Sequence, residues 1–166
     1  VIKGKAGSPY AIVDYYDVDP DMAVDVNKRM AEFEKLVERT HKAGLKVVID
    51  FVPNHVAREY HSISCPNGIE DLGASDNKDW HFSTSNNFYY CWGHPFAPQF
   101  DIEHDSDGNP LPPYAEQPAK ATGNDVFSAS PSKNDWYETV KLNYGIDYCD
   151  AGGRSEHFYD SEGKPI

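Results

Sequence analysis

A chain of 166 residues has room for one domain, or for part of one domain with an insertion. A formal charge of −12 and a pI near 4.8 argue against nucleic acid and anionic membranes as partners. A mean hydropathy of −0.67, with no long apolar run, excludes a membrane-spanning helix. Three cysteines, Cys65, Cys91 and Cys149, do not make a disulfide framework. One bridge with a free thiol, or three free thiols, both stay open. Cys-x-x-Cys does not occur, which argues against a structural zinc site. The chain opens at Val1 without an initiator methionine or a leader, so it reads as an excised segment. Aromatics make up 13% of the residues, with eleven tyrosines. Flat apolar rings with a polar handle suit sugar binding, and they equally suit the core of a loop-rich domain.

Residues 1–24 read as a loop punctuated by Gly4, Gly7, Pro9 and Pro20. A helix follows. Asn27 is its expected N-cap, and Met30, Phe33, Leu36 and Val37 recur at helical spacing up to Ala43. Arg39, His41 and Lys42 suit the negative end of the helix dipole. Gly44 stands where a left-handed stop is needed. Next comes an apolar run, Val47, Val48, Ile49, Phe51 and Val52, with no alternation, the pattern of a strand covered on both faces in a parallel sheet. Asp50 interrupts it and, if buried, needs bonded partners. Pro53 ends it, and Asn54 and His55 sit at its carboxyl end, where an α/β barrel carries its working groups.

From residue 57 to 166 the pattern turns irregular, and so long a connection predicts an inserted subdomain. Residues 87–92 and 126–128 are the strand candidates there. Residues 136–144 fit helix or strand, and 110–118 predict an exposed extended stretch. Trp80, Phe82, Phe88, Tyr89, Tyr90, Trp92, Phe96 and Phe100 crowd one region and read as the insertion's core, with one or two exposed rings. Glu103 to Gly108 has the look of a calcium loop, but residue 103 is Glu rather than Asp and the twelfth position is Tyr114. Asp105, Ser106, Asp107, Gly108 and Asn109 therefore read as a turn.

Three stretches carry a family resemblance. Asp50-Phe51-Val52-Pro53-Asn54-His55 resembles the Asp-x-x-x-Asn-His motif at the end of the third barrel strand in the α-amylase family, glycoside hydrolase family 13. The segment from Ser8 through Tyr10, Asp14 and Tyr15 to Asp19-Pro20 resembles that family's motif after the second strand. Thr139-Val140-Lys141-Leu142-Asn143 resembles its short motif near the end of the domain inserted after strand three. The resemblance implies an α/β fold: a fragment of a TIM (β/α)8 barrel, residues 1–56, with an irregular β-containing inserted domain, residues 57–166.

The resemblance also implies roles. His55 would donate a hydrogen bond to the sugar on the non-reducing side of the cleaved bond. The Tyr10 ring would lie under the same sugar, where a π face favours the positive charge of an oxocarbenium-like transition state. Asp50 and Asp14 would be structural carboxylates near the site. Asn54 becomes a candidate calcium ligand. The motif's usual aspartate, however, is Lys141 here, and an ammonium cannot ligate a cation and repels it. Gly7 replaces the aspartate of glucose-releasing relatives, which favours a polymer-acting enzyme. The Lys-Leu-Asn form looks like relatives acting on pullulan and cyclic maltodextrins.

The nucleophile and acid of a retaining glycosidase lie, by the resemblance, on later strands. Asp147, Asp150 and Glu156 fall in no matching motif, so no catalytic pair is assigned. The expected parent is a retaining hydrolase of α-1,4-glucans, its partner an α-glucan oligosaccharide or polysaccharide. The alternatives are a transglycosylase of the maltosyltransferase or trehalose synthase type, and a non-catalytic carbohydrate-binding relative. No cofactor is required for the chemistry. A single barrel strand leaves open edges, which predicts self-association of the piece.

Overall fold

The structure, a computed structural model, describes residues 8–91, 93–100, 104, 108–110 and 112–148. Its one long helix, α1 (Arg29–Lys42), lies where the periodicity predicts. The expected cap does not hold. Asp25, not Asn27, accepts the capping hydrogen bond, from Asn27 N at 3.1 Å, and opens a 3-10 turn (Val26–Lys28) that runs into α1. Helical winding begins two residues early, so Asn27 lies inside it. Glu32 closes this start by accepting from Val24 N and Asp25 N, both at 2.9 Å. Gly44 adopts φ 76°, and Leu45 N donates to Thr40 O at 3.1 Å, the left-handed stop expected.

The strand expected over 47–52 does not form a ladder. Val48 is 92% and Phe51 69% exposed. A parallel strand is held by neighbours on both edges and cover on both faces. The described residues supply neither, so the run stays extended and unpaired. Asp50 is exposed, a correction to its expected place as a buried carboxylate. Only the end of the run is tied down: Tyr15 Oη donates to Val52 O and Tyr144 Oη to Pro53 O, each at 2.5 Å. No residue of α1 is buried, and between α1 and residues 9–24 opens an apolar groove of about 990 Å³.

Regular pairing begins at His55. β1 (His55–Ala57) runs antiparallel to β4 (Thr139–Lys141), with His55 opposite Lys141 and Val56 opposite Val140. β2 (Tyr90–Cys91) pairs antiparallel with β3 (Ala119–Lys120). The β1–β4 pairing crosses the division expected between residues 56 and 57. The ambiguous stretch 136–144 thus contains a strand, and 87–92 contains β2. Residues 126–128 form none: Thr122 N bonds Val126 O at 3.0 Å and Asp125 takes φ 69°, so the chain there closes a tight turn.

Val56, Phe88, Tyr90 and Val140 form the core between the two sheets. Tyr89 and Phe96 are also buried, whereas Trp80 is exposed. Trp92, Cys149, Asp150, Glu156 and residues 105–107 of the expected turn lie outside the described residues. Cys65 is a free thiol.

Candidate substrate-binding site

The site begins with two main-chain bonds. Ala57 N donates to Ile12 O at 2.8 Å and His61 N to Val13 O at 3.0 Å, laying residues 11–13 along β1. Ala11 and Ile12 are buried there. Asp14 is fully buried just beyond, accepting from Tyr16 N at 2.8 Å on one oxygen and from Ile63 N at 3.0 Å on the other. A carboxylate so bonded fixes two loops at once. These contacts carry Tyr10 to the first residue of β1, His55.

His55 is 6% exposed. Asn54 Nδ2 lies 3.1 Å from its Nδ1. An amide nitrogen only donates, so Nδ1 is the accepting nitrogen and Nε2 carries the proton. The main-chain carbonyl of Tyr10 lies near the ring. Burial pushes its pKa below the ordinary value of 6.5. The Tyr10 carbonyl opposes that shift, and the nearby Lys141 charge adds to it. The ring is therefore a neutral imidazole at pH 7. Sequence reasoning joined Tyr10 and His55 through their side chains. In the structure it is the Tyr10 main chain that comes near the imidazole, and Tyr10 itself is 57% exposed.

Three further residues hold His55 in place. Asn54 Nδ2 also donates to Gly123 O at 2.7 Å, tying the end of the extended run to the 122–126 turn. Gly123 lies flat on the imidazole. A Cβ there would stand 2.8 Å from His55 Cβ and Cγ and 2.5 Å from Thr139 Oγ1, so only glycine fits. Trp136 meets the imidazole edge-on, with ring centroids 5.3 Å apart at 61°. Sequence reasoning missed both Gly123 and Trp136. The available signal was the short Asp135-Trp136-Tyr137-Glu138 run directly before the Thr139-Val140-Lys141 motif.

The calcium expected from some relatives does not fit the residues present. Lys141 is buried and its ammonium ion-pairs with Asp125 Oδ1 at 2.5 Å, opposite His55 on the paired strand. Asn54 offers its amide nitrogen to this cluster, not an oxygen. No group of three or more His, Cys, Asp or Glu that could hold a metal occurs among the described residues.

A buried neutral imidazole beside exposed tyrosine and tryptophan residues can bind an uncharged polyhydroxylated ligand through hydrogen bonds and apolar ring faces. Residues 4–107 match the family described as alpha amylase, catalytic domain, which is more than half of the chain. The chain belongs to the alpha-amylase family. Within that family its similarities are local. It is 26% identical over 95 residues to an alpha-amylase of Haloarcula japonica, covering 57% of this chain and 13% of that protein. It is 43% identical over 51 residues to a trehalose-6-phosphate hydrolase of Bacillus subtilis, 31% of this chain and 8% of the relative. It is 28% identical over 111 residues to an amino acid transporter heavy chain of Mus musculus, 52% of this chain and 15% of the relative. The chain thus spans only a small part of each of these relatives. No solved structure gives a significant match.

Proposed function

We propose that this chain is part of an α-glucan-active glycoside hydrolase of the α-amylase type, retaining and acting on α-1,4 linkages. It contributes substrate-binding groups to the cleft and not the catalytic carboxylates. In this reading residues 1–56 are a portion of the (β/α)8 barrel and residues 57–166 the inserted domain. The apolar groove beside α1 and the run 47–52 are then the faces on which the remaining barrel elements pack. His55 and Tyr10 grip one glucosyl unit, while Asn54 and Asp14 hold the loops that carry them. Asp50, exposed in this chain, would find its partners among the missing strands.

The observation that carries the reading is the convergence of Tyr10 and His55, forty-five residues apart, on one end of β1 in a chain of this family. The test uses the complete reading frame containing this chain, assayed on maltooligosaccharides. His55→Ala should lower kcat/KM about a hundredfold, the order expected when a hydrogen bond tightened in the transition state is lost. Unchanged kinetics would overturn the assignment of His55. Products longer than the substrate, with little glucose or maltose, would indicate transfer instead of hydrolysis.

A second reading has one specific observation behind it. A relative matching over 111 residues is named as an amino acid transporter heavy chain, which is not a hydrolase name. A binding or assembly role on the same scaffold would leave the intact protein able to bind maltooligosaccharide without cleaving it.

A further inference from the structure

We propose that Trp136 is a second sugar-stacking group, taking the apolar face of the glucosyl unit next to the one held by His55 and Tyr10. The inference rests on the reading of His55 and Tyr10 as sugar-binding residues and adds to it a subsite that determines chain-length preference.

Three observations carry it. First, Trp136 is 52% exposed while its ring touches the buried imidazole of His55. The indole thus bridges from the inner end of the site to solvent, and one part of it stays uncovered. Second, the loop beneath it is fixed. Trp136 N donates to Asn124 Oδ1 at 3.1 Å, and the same oxygen accepts from Thr122 Oγ1 at 2.6 Å. Trp136 O accepts from Thr139 N at 2.9 Å and from Thr139 Oγ1 at 2.7 Å. On the other side, Ser132 N donates to Asp135 Oδ2 at 2.7 Å, and Asp135 N donates back to Ser132 O at 3.1 Å. A ring presented on so constrained a backbone loses little conformational freedom when a ligand covers it. Third, Tyr10 is likewise exposed and its main chain comes near the same imidazole. His55 therefore has two exposed aromatic residues beside it, an arrangement that suits consecutive units of one saccharide chain.

The chemistry selects the ligand. An indole face offers a broad apolar surface with no charge, suited to the C–H faces of a pyranose ring. Among the described residues the charge that acts on His55 is that of Lys141, and it is already paired with Asp125, so an uncharged saccharide fits better than a sugar phosphate.

The experiment measures kcat/KM for a maltooligosaccharide series with the full-length protein and its Trp136→Ala, Trp136→Phe and His55→Ala variants. Trp136→Ala should lower kcat/KM about tenfold more on the longer substrates than on the shortest one cleaved. Trp136→Phe should recover most of the loss, since a smaller ring keeps the apolar face. Thermal unfolding of each variant identifies any loss of folding, and the Phe variant keeps the test valid if the Ala variant unfolds. A uniform loss of rate at every chain length, or no loss at any, overturns the role of Trp136. If His55→Ala lowers the rate in either of those cases, the reading of His55 stands while that of Trp136 falls. If neither residue affects the rate, both fall.

Discussion

Arg58 and Glu116 form a buried ion pair that joins the two small sheets. Arg58 follows β1 and Glu116 precedes β3. The arginine also donates to Tyr137 O at 2.8 Å, Lys120 O at 3.1 Å and Thr139 O at 3.3 Å, and its guanidinium stacks 3.9 Å above the Phe96 ring. Lys120 Nζ lies 3.3 Å from the second oxygen of Glu116 and donates to Arg58 O at 3.2 Å. Burial lowers the pKa of both cations, and Glu116 opposes the shift in each. Removing the carboxylate leaves two buried cations without their counter-charge. Glu116→Ala should therefore destabilise the protein by about 3–5 kcal/mol, measured by denaturant unfolding. An exposed pair would give less than about 1 kcal/mol, and a value that small would show that the pair is not buried in solution.

Gly123→Ala tests the packing around His55. The added methyl meets side-chain atoms next to the main chain of β1 and β4, which cannot swing away. Overpacking of this kind costs about 1–3 kcal/mol. Because the imidazole is what must move, saccharide binding should weaken in the same variant. Stability lost with binding intact would mean that His55 is not held by this contact.

How far the sequence reaches can be judged residue by residue. The helix was legible because Met30, Phe33 and Leu36 repeat locally and Gly44 ends the pattern, and neither signal needs a distant partner. The strand at 47–52 was read correctly as apolar, yet its ladder depends on neighbours that the described residues do not contain, so Val48 and Phe51 stand in solvent. The region after residue 57 resisted reading for another reason. It is held largely by side chains bonding the main chain. Asp76, for example, accepts from Asn87 N and Phe88 N at 2.7 and 3.0 Å, and Asp71 accepts twice from Ser62 N. Such bonds leave no periodicity. Trp136 lies eighty-one residues from His55, and only the fold brings the two rings together.

The neutral state of His55 makes a pH prediction. Its folded pKa lies below the unfolded value of 6.5, so between the two the unfolded chain binds more protons. The contribution of His55 to stability is complete above pH 6.5 and is lost as pH falls through the lower, folded pKa. An NMR titration of the imidazole should show a midpoint below 6.5, with more than half of the rings neutral at pH 6.5. A midpoint at or above 6.5 would contradict the burial seen here.

Helix α1 has a corresponding acid limit. Its Arg29 Nε donates to Asp17 Oδ1 at 2.8 Å, and Nη2 completes a two-pronged pair with the other oxygen. That hydrogen bonding holds the Asp17 carboxyl below its ordinary value of 3.8 despite its burial. The pair therefore contributes fully above pH 3.8 and fades as pH falls through the depressed value. Circular dichroism of Asp17→Asn should show helix loss at higher pH than the parent chain, or loss already present at neutral pH. Identical acid profiles would mean the pair does not anchor the helix.

Lys141 makes a prediction about metal. Its ammonium already supplies a positive charge to Asp125 beside His55, so a calcium ion at Asn54 would meet repulsion. Chelation with EDTA should leave the unfolding midpoint and saccharide binding unchanged. A fall in the midpoint that added calcium restores would show a metal site formed by residues beyond this cluster.

The last prediction concerns the exposed run. Val48, Ile49 and Phe51 leave apolar surface in water beside the groove along α1, and the main chain from 47 to 52 has unpaired donors and acceptors. An unprotected extended segment of this kind is a template for pairing with another copy. The 166-residue chain on its own should therefore associate in a concentration-dependent way, visible in sedimentation velocity. Charges placed at Val48→Lys and Phe51→Glu should restore the monomer, because both residues are largely exposed and neither belongs to the core formed by Val56, Phe88, Tyr90 and Val140, which Phe51 meets only through the ring of Tyr15. In the full-length protein the same two substitutions should instead be damaging, since there the proposed barrel neighbours would have to bury both charges. If the isolated chain is monomeric without them, or the full-length protein tolerates them, this run is a surface loop and the barrel placement of residues 47–52 fails.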